Sequence, residues 1–108
     1  MNKEKIIRKS STYSEIIDHK QAVKNKYFSL YFIESENDNK YGITVPKKVG
    51  KAFTRNRLKR QIKNIIMTNE IIIQNKYNYV IIIKEAVLEL SYSEMTKELL
   101  ELFKKVGK

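Results

Sequence analysis

The stretch 40–63 contains nine lysine or arginine residues and no aspartate or glutamate. The rest of the chain holds 13 basic and 12 acidic residues, so nearly all of the formal net charge of +10 comes from this basic stretch. Surface helices usually mix both signs of charge, which allows pairs between residues one turn apart. A surface that is positive throughout repels itself unless an anionic partner covers it. The basic stretch therefore predicts a fold that presents one positive surface to a phosphate-rich partner.

The hydrophobic pattern divides the basic stretch into a strand, a linker and a helix. Residues 40–45 predict the second strand of a hairpin, Pro46 should end its pairing, and residues 47–54 predict a linker. A helix is expected from about Phe53 to Asn69, because four apolar side chains recur at helical spacing: Leu58, Ile62, Ile65 and Ile66. The other side of this helix is polar and basic, with Asn56, Arg57, Lys59, Arg60 and Lys63. These two faces predict a helix that packs on a core and contacts nucleic acid.

Two capping boxes mark the starts of two further helices. Thr12-x-x-Glu15 predicts a first helix over residues 12–21, since the two side chains can satisfy backbone donors that the helix leaves free. Ser91-x-x-Glu94 predicts the start of a final amphipathic helix in the same way.

Two other segments read as strands and complete the architecture. Residues 27–34 are rich in aromatic and branched side chains and should be covered on both faces, and the continuous apolar run within 77–84 predicts a central strand. The predicted order is α-β-β-α-β-α, an α+β single small domain with one central sheet packed with helices. Residues 1–10 are polar and basic and predict a flexible arm, which leaves 11–108 as the folded domain.

Composition excludes several classes of site. The chain has no cysteine, which excludes disulfides, zinc-thiolate sites and a cysteine nucleophile, and fits a reducing cytoplasm. The longest apolar stretch, 80–83, is too short to span a bilayer, so no membrane partner is expected. The chain has one histidine, His19, and the acidic residues form no metal-ligand motif. A nuclease made of protein alone is therefore not expected.

The aromatic residues of the first half allow two interpretations. Five of them could simply fill the core: Tyr13, Tyr27, Phe28, Tyr31 and Phe32. Alternatively, Tyr13 and Ile17 of the first helix face Tyr31 of the strand and form a cleft in which single-stranded bases stack.

The linker and helix together carry a recognisable motif. The residues Lys47-Lys48-x-Gly50-x-Ala52-x-x-Arg55-Asn56-x-x-Lys59-Arg60 resemble the signature of the bacterial ribonuclease P protein subunit, and every position of that signature matches. A basic helix without this relationship would not place the glycine, alanine and asparagine in register with the charges. The resemblance extends from about Tyr13 to Lys104 with the same order of elements.

The resemblance implies a ribonucleoprotein in which the RNA carries the chemistry. The protein would bind the catalytic RNA through Lys47, Lys48, Lys51, Arg55, Asn56, Arg57, Lys59, Arg60 and Lys63. It would bind the 5′ leader of precursor tRNA through Tyr13, Ile17, Tyr27 and Tyr31. The resemblance further implies Mg²⁺ held mainly by the RNA, no catalytic or metal-binding residue in the protein, a left-handed crossover around the linker, and a protein that is monomeric alone.

The sequence departs from the family pattern at four positions and leaves two alternatives. Ile17 stands where phenylalanine is frequent, Lys20 where glycine is common, Lys63 where arginine is frequent, and Pro46 where serine is common. A structural RNA-binding protein, such as a ribosomal protein, would suit the charge and size equally well. A DNA-binding module has less support, because no dimer seam or recognition-helix pattern is present.

Overall fold

The computed structural model describes residues 5–7 and 10–106 of the 108-residue chain. Within these residues the fold contains the helices α1 (Ser10–Asp18), α2 (Ala52–Thr68) and α3 (Tyr92–Phe103) and the strands β1 (Ala22–Lys24), β2 (Phe28–Glu34), β3 (Lys40–Thr44) and β4 (Tyr77–Ile83). Short 3₁₀ turns at Lys47–Val49, Glu70–Ile72 and Glu85–Glu89 connect them. The predicted α+β class is confirmed, and every predicted helix and strand is present, although α1 covers Ser10–Asp18 where 12–21 was predicted. β1 was not predicted.

The four strands form one mixed sheet in the order β1-β2-β4-β3. β4 runs antiparallel to β2 and parallel to β3, with Leu30 and Ile43 both opposite Ile81. The predicted central position of this strand is confirmed, since Val80 and Ile81 are fully buried. Because β3 and β4 are parallel neighbours, α2 is the crossover helix that joins them.

The predicted hairpin between residues 27–34 and 40–45 is wrong, because β4 lies between β2 and β3. The apolar run of β4 has both faces to bury, and a central position covers it best. β2 instead forms an antiparallel pair with β1, in which Val23 lies opposite Leu30. A three-residue strand is too short to show a hydrophobic period, so β1 could not be predicted from the apolar pattern.

The two capping-box predictions have different outcomes. α1 begins at Ser10, so Thr12 lies inside the helix and the box predicted there is wrong. In α3 the box is confirmed: the Glu94 amide donates to Ser91 Oγ at 3.2 Å, and the Ser91 amide donates to Glu94 Oε1 at 2.9 Å. The sequence pattern is the same in both places, but α1 starts one half-turn earlier than its pattern indicates.

The helices cover the two faces of the sheet separately. α2 and α3 pack on one face and enclose the main core, which includes the predicted stripe of α2: Leu58, Ile62, Ile65 and Ile66. α1 packs on the other face, where Ile7, Ile16 and Val80 form a second, smaller cluster. The sheet therefore separates the basic helix from the aromatic residues of α1.

The described part of the N-terminal segment lies beside β3. The Ile7 amide donates to the Tyr41 carbonyl at 2.9 Å, and Ile7 is buried. Lys5 Nζ lies 2.9 Å from a carboxylate oxygen of Glu70. These residues belong to the arm predicted for 1–10, of which residues 1–4 and 8–9 lie outside the described residues.

Candidate nucleic-acid interface

The basic face of α2 and the preceding linker form one continuous surface. Six of its nine predicted RNA-binding residues are exposed: Lys47, Lys48, Lys51, Asn56, Arg57 and Arg60. The other three, Arg55, Lys59 and Lys63, are half-buried. The structure therefore brings all nine predicted residues together on one helix and its linker.

The linker is held against the start of α2. Val49 is buried and anchors the 3₁₀ turn that carries Lys47 and Lys48. Arg55 Nε donates to the Gly50 carbonyl at 3.2 Å, which ties the linker to the first turn of the helix. Arg55 therefore positions the two lysines as well as adding its own charge, a role that the sequence pattern did not reveal.

The positive charge of this surface has no acidic neighbour within the basic stretch. The first acidic residue after it along the chain is Glu70, whose carboxylate is paired with Lys5. A helix face with only positive charges creates a positive electrostatic potential, which raises the local concentration of anions and speeds their association. This surface can hold several phosphates of a nucleic-acid backbone.

A groove lies beside α1 at the edge of the sheet. It has a volume of about 540 Å³ and is lined by Ile17, Asp18, Lys20, Ala22, Lys24 and Tyr31. Lys24 Nζ lies 5.2 Å from the centroid of the Tyr31 ring, within the range of a cation–π contact. An aromatic face with two lysines nearby is suited to a single-stranded nucleic acid, because bases can stack while the lysines neutralise phosphates.

Tyr13 supports this groove from within the second cluster. Its ring packs on the sheet beside Gly42, with Ile17 in the same cluster. Burial raises the pKa of the Tyr13 phenol, while a hydrogen bond with the Thr44 side chain lowers it. Tyr13 is thus a packed residue of this cluster.

Tyr27 is not brought together with the other three predicted leader-binding residues. Tyr27 packs against the main core, whereas Tyr31 packs against the second cluster. Tyr27 precedes the first residue of β2, where Asn25 Oδ1 accepts hydrogen bonds from the amides of Tyr27 and Phe28. This turn rotates the backbone out of the period-two pattern.

Sequence reasoning missed three residues around the groove: Lys20, Lys24 and Gly42. Lys20 follows two residues after the end of α1 and has a left-handed backbone conformation, at a φ of 64°. The resemblance described above implies glycine at this position, and glycine adopts this conformation without steric cost. Lysine in place of glycine at position 20 was the one feature of the sequence that pointed to this residue. It indicated an unusual backbone conformation and not a role in binding.

Comparison with known proteins decides the family. The family model named Ribonuclease P matches residues 1–107. The chain belongs to the ribonuclease P protein family. It is similar to the ribonuclease P protein component of Mycoplasma capricolum, with 38% identity over 98% of this chain and 99% of the relative. It is also similar to that of a Geobacillus strain, with 32% identity over 99% of this chain and 94% of the relative.

The fold agrees with this assignment. The solved structure of the RNase P protein from Thermotoga maritima matches with a TM-score of 0.88 and 27% identity, over 94% of this chain and 97% of that one. The predicted enzyme class is therefore confirmed: the chain is the protein component of an endoribonuclease that also contains an RNA. Among the helices of the described residues, none is long and apolar enough to cross a membrane.

Proposed function

We propose that this ribonuclease P protein binds the catalytic RNA through the basic face of α2 and its linker, and holds the 5′ leader of precursor tRNA in the groove beside α1. It thereby assists the RNA in removing the leader in the cytoplasm. The observation that carries the first part is the acid-free surface of α2 and its linker, on which nine candidate contacts lie together. Such a surface gains affinity from the counterions that the RNA releases.

The position of the groove supports the second part of the proposal. The groove and the basic face lie on opposite sides of the sheet, so the protein can contact two nucleic-acid segments at once. Tyr31 offers a stacking surface, and Lys20 and Lys24 lie beside it in the groove lining. A stacking groove tolerates many base sequences, which suits leaders that differ between tRNAs.

The chemistry itself is assigned to the RNA. Mg²⁺ prefers oxygen ligands and keeps several waters, so phosphate oxygens of the RNA suit it well. The protein residues contribute by positioning the leader and by neutralising phosphates that would otherwise repel one another at low Mg²⁺. The protein alone is proposed to be monomeric.

Reconstitution tests this function directly. The purified chain should lower the Mg²⁺ concentration at which a bacterial ribonuclease P RNA cleaves precursor tRNA, and the chain alone should cleave nothing. The matched control is mature tRNA, which lacks the leader and should compete weakly. An RNA whose Mg²⁺ requirement is unchanged by the protein would contradict the proposal.

A further inference from the structure

A separate pocket lies between α2 and the start of α3, on the side of the sheet opposite the leader groove. It has a volume of about 280 Å³. Its rim carries two polar side chains of α2, Arg57 and Gln61, together with Leu88 and Tyr92. Its floor belongs to the main core, with Leu58, Val87, Leu90 and Met95. The nine predicted RNA contacts include only Arg57 among these residues.

Two of the rim residues expose apolar surface. Leu88 keeps 48% of its surface exposed and Tyr92 keeps 40%. Tyr92 is also held in place from α2, because Asn64 Nδ2 donates to its hydroxyl oxygen at 2.6 Å. A rigid, half-exposed aromatic ring costs little further entropy when a flat ligand stacks on it.

The side of the pocket formed by α2 is positively charged. Arg57 joins the rim to the basic face of α2. Tyr92 is the first residue of α3, so the pocket also lies at the positive end of that helix dipole. Of the glutamates in the adjoining segments, Glu89 pairs with Lys26 and Glu94 completes the capping box.

We propose that this pocket accepts one unstacked nucleobase of the RNA that α2 binds. The base stacks on Tyr92 and Leu88, Gln61 hydrogen-bonds its edge, and Arg57 contacts its phosphate. Pockets for drug-sized ligands typically measure about 300–1,000 Å³, so this smaller space suits a single base. Unpaired bases that can leave the stack are the usual targets of sequence-specific RNA recognition. The inference rests on the proposed function, because the RNA must first lie on α2.

The test uses variants of uncharged rim residues in the reconstituted complex with a bacterial ribonuclease P RNA. Tyr92→Ala should weaken the affinity for the RNA by about 5- to 150-fold, the loss typical of one stacked base. Leu88→Ala should weaken it in the same direction, and Tyr92→Phe, which keeps the ring, should weaken it less than Tyr92→Ala. Ile71→Ala is the matched control, since Ile71 is a 96% exposed aliphatic residue outside the pocket.

Two readouts separate this inference from the proposed function. The dependence of affinity on salt should keep its slope in Tyr92→Ala and Leu88→Ala, because neither change removes a phosphate contact. Chemical probing of the RNA should show one unpaired base that is protected by the wild-type protein and becomes reactive with Tyr92→Ala. Circular dichroism checks that each variant is folded. If Tyr92→Ala is unfolded, the same measurements on Leu88→Ala test the inference.

The possible outcomes are distinct. If the wild-type protein does not bind the RNA, the proposed function fails. If Arg60→Ala weakens binding while neither rim variant does, the function stands and the pocket inference is wrong. A loss of affinity in the rim variants without any change in base protection also overturns it, because the pocket would then not hold a base.

Discussion

The phenol ring of Tyr13 in α1 lies directly against the backbone of Gly42 in β3. A Cβ atom at position 42 would lie 2.6 Å from Tyr13 Cζ and 2.7 Å from its hydroxyl oxygen. No real side chain tolerates such a distance, so this approach requires glycine. The contact fixes α1 on the sheet and, through Ile17 one turn later, fixes one wall of the leader groove.

We expect Gly42→Ala to lower the free energy of unfolding by about 1–3 kcal/mol, because the new methyl group overpacks the site and displaces the Tyr13 ring. Urea denaturation followed by circular dichroism measures this change. The control is the same substitution in a Tyr13→Ala background, where the ring is absent and the cost should be much smaller. Equal costs in both backgrounds would show that the ring does not limit the space at position 42.

Lys20 stores backbone strain at the end of α1. The left-handed conformation of Lys20 costs a non-glycine residue about 1–2 kcal/mol, and glycine avoids this cost. Glycine also has a higher conformational entropy in the unfolded chain, which offsets part of the gain. Lys20→Gly should therefore raise the free energy of unfolding by roughly 0.5–1 kcal/mol. Lys40→Gly is the control: it removes the same charge from an ordinary strand position in β3 and should destabilise the protein. A destabilising Lys20→Gly would contradict the strain.

The order of helices and strands was largely predictable from the sequence. The spacing of apolar residues distinguishes helices from strands and indicates which face of each one is buried. The stripe from Leu58 to Ile66 and the capping box at Ser91 are local signals and were confirmed. Strand pairing is not local. Residues 40–45 alternate as a hairpin partner would, but the stronger apolar run of β4 takes the central place between β2 and β3.

The candidate site was predictable to a different extent on each side of the sheet. The basic face needs only a helix and its charges, so the positions of Arg57 and Arg60 followed from the sequence. The groove depends on the contact between Tyr13 and Gly42, which are far apart in the chain, and a turn at Asn25 determines where Tyr27 lies. For that reason the sequence placed Tyr27 with Tyr31, whereas the structure separates them.

The capping box of α3 should make a measurable contribution to stability. Ser91→Ala removes the acceptor for the Glu94 amide and should lower the free energy of unfolding by about 1 kcal/mol. Ser14→Ala is the control, because Ser14 is exposed inside α1 and alanine has the higher helix propensity there. Thermal unfolding of both variants measures the difference, and equal melting temperatures would show that the cap adds nothing.

The same box gives stability a pH dependence. Hydrogen bonds from the backbone and side chain of Ser91 lower the pKa of the Glu94 carboxyl below its ordinary value of 4.5. Because the pKa is lower in the folded protein than in the unfolded chain, the ionised carboxylate stabilises the fold above pH 4.5. This stabilisation is lost as the pH falls through the pKa of the folded protein. Glu94→Ala should therefore be less stable than wild type at pH 7, with a difference that shrinks at acid pH.

The basic face should show the salt signature of phosphate contacts. Arg60→Ala should weaken binding to the ribonuclease P RNA and reduce the slope of log affinity against log salt by about one, since one phosphate contact is lost. Lys97→Ala removes one positive charge from the exposed side of α3 and should leave the slope unchanged. Filter binding at several salt concentrations measures both, and identical slopes for the two variants would contradict the assignment of Arg60.

The groove should instead control the recognition of the leader. Tyr31→Ala removes the stacking surface beside Lys24 and should reduce the preference for leader-bearing over mature tRNA by about 1–3 kcal/mol, while affinity for the RNA subunit stays as in wild type. Tyr27→Ala is the matched control, because Tyr27 packs on the opposite side of the sheet and should leave this preference unchanged. Competition between the two tRNAs for the reconstituted complex measures the preference. If Tyr31→Ala lowered only the affinity for the RNA subunit, the groove would not be the leader site. Loss of a stacked leader base can weaken binding only of the tRNA that carries the leader.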